Sequence, residues 1–100
     1  MKYYILKDKK VIGVDLMTWA KWFETNKKDS ILKHTILENG KFISTAFLGI
    51  DHGWGLNPKP LLFETMVFPQ KGEFSELDMD RYTSYKEAMA GHQVMVDKWK

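Results

Sequence analysis

FLGIDHGWG, Phe47 to Gly55, carries an apolar run to a polar end, and PLLFETMVF, Pro60 to Phe68, answers it. The first reads as a strand delivering Asp51 and His52 to a glycine-rich turn. The second is a strand whose only charge is Glu64, set between Leu61, Leu62 and Phe63 on one side and Met66, Val67 and Phe68 on the other. A carboxylate taken out of water must be paired, hydrogen-bonded or neutralised. The expectation is a buried polar cluster of Asp51, His52 and Glu64, completed by His92 from the C-terminal segment. Two arrangements satisfy it: a metal ion held by the four side chains, or an internal histidine–carboxylate network without one.

The rest of the chain narrows the choice of metal. There is no cysteine among the 100 residues, so any site has only imidazole, carboxylate and water to use, and zinc is the cofactor such a set would take. A composition of 44% hydrophobic and 28% charged residues is that of one globular domain, residues 1–100. A formal net charge of +2 is too small for a polycationic surface, which argues against sequence-specific nucleic-acid binding. The start, MKYYILKDKK, returns to charge after four apolar residues, and no apolar run approaches a membrane span of roughly 20 residues. A soluble, cytoplasmic protein is expected.

Around the central pair the pattern predicts an α+β fold in the order β-β-α-β-β-β-α, an antiparallel sheet of about five strands covered by two helices. Tyr3–Leu6 and Val11–Val14 form a hairpin with a four-residue loop, Lys7 to Lys10. Asp15 caps a helix from Leu16 to Asn26 whose Trp19, Trp22 and Phe23 face the core. Asn39-Gly40 predicts a two-residue hairpin turn, which sets Leu37 opposite Phe42 and His34 opposite Thr45. Ser84 and Glu87 form a capping box for a last helix, with Tyr85, Ala88, Met89, His92, Met95, Val96 and Trp99 inward. Gly91 beside His92 weakens that helix unless another element approaches closely there.

Two segments suit contact with a partner. Trp54, between two glycines, is either thrust outward or folded back over the polar cluster. The segment from Glu73 to Arg81 is read as a loop with one short helical turn, and its Glu73, Glu76, Asp78 and Asp80 form an acidic surface.

The succession ISTAFLGIDH (Ile43–His52), PLLFETMVF (Pro60–Phe68) and RYTSYKEAMAGH (Arg81–His92) resembles a family of small, mostly uncharacterised proteins of bacteriophages and prophages. The resemblance covers the second half of the chain and falls on Asp51, His52, Glu64 and His92. It implies a non-enzymatic inhibitor of a host defence protein, an anti-CRISPR protein that blocks a type II RNA-guided nuclease by binding. The acidic segment would then face the positively charged channel holding the guide heteroduplex. The alternative is a small metal-dependent hydrolase built on the same four residues around an open coordination position.

Overall fold

The computed structural model describes residues 3–53 and 58–100. The elements run β1 (Tyr3–Lys7), β2 (Lys10–Val14), α1 (Leu16–Thr25), β3 (Ile31–Ile36), β4 (Phe42–Phe47), β5 (Phe63–Phe68), β6 (Asp78–Tyr82) and α2 (Tyr85–Trp99). The fold is α+β with two helices, as expected, but its strands form two sheets. β1 and β2 stand apart as a hairpin, and β3-β4-β5-β6 is an antiparallel sheet of four. The hairpin is tied to the segment just past β4, where Tyr4 N donates to Gly49 O at 2.9 Å beside an isolated Tyr3–Ile50 bridge, and its Tyr4, Leu6 and Val11 pack against the core of the larger sheet.

Each departure from expectation has a local cause. The first hairpin closes on two residues, because Asp8 and Lys9 both take left-handed angles (φ 50° and 66°), which matches the turn to the strand twist. β6 forms where the sequence pattern predicts a loop with one short helical turn. Its aspartates are poor strand formers, yet β5 leaves an edge for Asp78–Tyr82 to pair with, and Asp78 Oδ2 accepts hydrogen bonds from Lys98 Nζ (2.7 Å) and Trp99 Nε1 (2.9 Å).

The most consequential difference is at Asn39-Gly40. Only Gly40 takes a positive φ, 89°; Gly40 N donates to Leu37 O and Leu37 N to Lys41 O, both 2.9 Å. The loop therefore has three residues, a turn followed by a left-handed glycine. The pairing moves by one: His34 lies opposite Ser44, and Thr45 opposite Lys33. A one-residue slip exchanges the faces of a strand. Thr35 thus joins Ile43, Thr45, Phe47, Phe63, Thr65, Val67 and Tyr82 on the face toward α2, while His34 turns to the other face with Phe42, Ser44, Glu64 and Arg81.

Both helices are capped as read. Asp15 Oδ1 accepts from Thr18 N at 2.8 Å, and Ser84 Oγ from Glu87 N at 3.1 Å. α1 lays Trp22 and Phe23 against Phe47, with ring centroids 5.8 Å apart in each case. α2 buries Ala88, Gly91, His92 and Met95 on the sheet. Gly91 admits the close approach expected of it: a Cβ there would run into the Tyr82 ring.

The apolar interior is divided. One cluster holds Leu37, Ile43, Val67 and Met95; the other holds Phe47, Leu62, Phe63 and Ala88, with α1 and the hairpin packed around it. Between them, at the middle of β4, β5 and α2, runs a belt of polar side chains.

Candidate functional site

His92 is the centre of that belt. Its side of α2 is fixed by helical spacing from Ala88 and Met95, and it is 1% exposed. Nδ1 is 2.7 Å from Thr45 Oγ1, and Nε2 is 2.8 Å from Thr35 Oγ1. Thr45 in turn is 2.6 Å from Thr65 Oγ1, and Tyr82 continues the chain from Thr65. A neutral imidazole has one donor and one acceptor, so flanking hydroxyls, which can serve as either, satisfy both nitrogens. Burial holds the His92 pKa below its ordinary 6.5, and the charges of Lys33 and His34 add to this. Burial and the nearby Asp80 and Asp78 raise that of Tyr82, against the opposing hydrogen bond from Thr65. The belt is a hydroxyl–imidazole chain, buried at Thr45, Thr65 and His92 and half-buried at its two ends, Thr35 and Tyr82.

The other three residues of the expected cluster lie elsewhere. Glu64 follows the Phe63–Thr65–Val67 alternation onto the opposite face of β5, where Oε2 accepts from Arg81 Nε at 3.0 Å. Its required partner is therefore an arginine on the neighbouring strand. Asp51 is a loop clamp: Oδ1 accepts from Gly53 N (2.7 Å) and Leu61 N (2.9 Å), joining the two ends of the connection between β4 and β5. His52 stands in the same clamp, its N–H donating to Leu61 O at 3.0 Å, and its side chain is half-buried. Glu64 points from the face of the sheet opposite the one against which His92 of α2 packs, and no three His, Asp or Glu side chains among the described residues are placed to hold a metal ion together. As placed, Asp51, His52, Glu64 and His92 do not fit zinc as one ligand set.

The expected partner contacts also divide. Trp54 lies outside the described residues. Asp78 is engaged within the fold by Lys98 and Trp99, which lower its pKa, so it is a tether for the end of α2. Glu73, Glu76 and Asp80 are exposed.

Between the two glutamates stands a residue that charge counting passes over: Phe74, 93% exposed. The loop carrying it is ordered by its own bonds. Leu77 N donates to Val67 O at 2.7 Å and closes the base, Glu73 N donates to Gln70 O at 3.2 Å, and Gln70 Nε2 reaches Glu73 Oε1 at 3.1 Å. Leu77, 45% exposed, flanks it. The legible signal was a lone aromatic in an acidic stretch without strand or helix periodicity, where no core position awaits it.

Comparison with protein-family models, with curated proteins and with solved structures returns no match. No helix among the described residues is long and apolar enough to cross a membrane.

Proposed function

We propose that the chain is a non-catalytic inhibitory binding protein that docks through the β5–β6 loop. The phage-protein resemblance directs it at a type II RNA-guided nuclease. The observation that carries the reading is Phe74, held almost wholly in water between Glu73 and Glu76 on a loop closed at its base. A large aromatic exposed to this degree forgoes about 1.5–3 kcal/mol of burial until a partner covers it. Carboxylates on either side select a pocket with a basic rim, which is the character of a channel built for nucleic acid. His92 belongs to the interior and supplies alignment of α2 on the sheet, not chemistry at the surface.

The test is guide-directed DNA cleavage by purified type II nucleases, titrated with the chain. Inhibition that rises to a 1:1 molar ratio is the expected result. Phe74→Ala weakens binding roughly 30-fold, the range of an aromatic anchor, and Glu73→Lys with Glu76→Lys weakens it further, while Met17→Ala, a change at a 77% exposed position on α1, leaves it intact. Neither binding nor inhibition across a panel of such nucleases would refute the nuclease assignment. Equal potency of wild type and Phe74→Ala would refute the loop.

A further inference from the structure

The four-stranded sheet has two unlike edges. β6, DMDRY, carries Asp78, Asp80 and Arg81, charges of the kind that blunt an edge against pairing. β3, ILKHTI, carries a single formal charge, Lys33. Because Leu37 N bonds Lys41 O, the hydrogen-bonded pairs back along that ladder are Thr35 with Ile43 and Lys33 with Thr45. The backbone N–H and C=O groups of His34 and Ile36 are therefore directed outward, away from β4. On the face opposite α2, Ile36 is 61% and Ile31 46% exposed, one at each end of the strand. Ile31 reaches that face through a register shift between Ile31 and Lys33, which sets it opposite Ala46 and in line with Glu64. His34 lies between them, edge-on to Phe42 with ring centroids 4.9 Å apart.

We infer that β3 pairs with β3 of a second copy, antiparallel about a two-fold axis at His34, joining two four-stranded sheets into one of eight. The strand is self-complementary about that point. His34 exchanges both backbone hydrogen bonds with His34 of the second copy, and Lys33 meets Thr35. Ile36 lies beside Ile31 of the second copy, so each exposed isoleucine covers the other. No two lysines stand directly opposite. A seam of one strand pair buries less than the roughly 800 Å² per partner of a standard interface, so the dimer forms by mass action at high concentration. The β5–β6 loop is two strands away, and the dimer displays Phe74 twice. The inference is independent of what Phe74 binds.

Sedimentation velocity over about 1–500 µM spans the relevant range. The expected result is a rise toward twice the 11.7 kDa chain mass, abolished by Ile36→Lys in a variant whose circular dichroism and melting match wild type. A second measurement uses the absence of cysteine. His34→Cys places two thiols across the axis with Cα atoms about 5.5 Å apart, within disulfide reach. It should cross-link under mild oxidation at least tenfold faster than Val94→Cys, at a 64% exposed position on α2. A monomer at every concentration, or cross-linking of His34→Cys no faster than that of Val94→Cys, would overturn the inference. So would a dimer insensitive to Ile36→Lys.

Discussion

At the level of single residues, His92 sets the terms. An imidazole with both nitrogens on threonine hydroxyls is stable as long as it stays neutral and every member of the chain keeps a partner. Thr45→Val removes the oxygen that His92 Nδ1 and Thr65 both use, at nearly constant volume. The expected cost is about 1–3 kcal/mol, seen as a drop of several degrees in Tm in a thermal melt. The pH dependence follows from the lowered His92 pKa. Below the ordinary value of 6.5 the unfolded chain takes up a proton at this residue that the folded chain refuses, so this contribution is complete above that pH and lost as pH falls from there toward the folded value. Denaturant midpoints should fall between pH 7.5 and 5, and the fall should be shallower in His92→Gln. An equal slope in the variant would assign the dependence to other groups.

At the level of elements, the turn and the last helix carry the decisions. Gly40 at φ 89° converts an Asn-Gly pair into a three-residue loop, and that one extra residue puts Thr35, not His34, within reach of His92. Gly40→Ala meets open space but holds an L-residue in a left-handed conformation, and should cost about 1–2 kcal/mol by chemical denaturation. Gly91 reverses the usual sign of a substitution. Gly→Ala within a helix ordinarily stabilises by about 1 kcal/mol. Here the new methyl enters the space of the Tyr82 ring, and Gly91→Ala should destabilise by about 1–3 kcal/mol, partly relieved when combined with Tyr82→Leu. A stabilised Gly91→Ala protein would show that α2 lies further from β6 than described.

At the level of the whole molecule, stability and recognition are housed apart. The two apolar clusters and the belt between them lie under α2, while Phe74 projects from a loop at the end of the sheet. Phe74→Ala should therefore leave the free energy of unfolding within about 0.5 kcal/mol of wild type, as expected of a surface change, while changing partner binding. Loss of both together would place Phe74 in the fold. Much of this architecture was legible beforehand. Helical periodicity and caps placed α1 and α2 within a residue, because those signals are local: Asp15 and Ser84 bond backbone amides three residues on. The inward turn of His92 and the close approach at Gly91 were also readable, since they follow from spacing along one helix. The amino-acid order alone could also show that Glu64 needs a partner, because the cost of an unpaired carboxylate among apolar neighbours does not depend on the fold. It could not say which partner. That choice rested on strand register and on the pairing of β6, which turned Glu64 toward Arg81 on one face and left His92 with threonines on the other. Side chains on a strand alternate faces, so a single residue of loop length, decided by packing across the sheet, reassigns every long-range contact while leaving each local propensity unchanged.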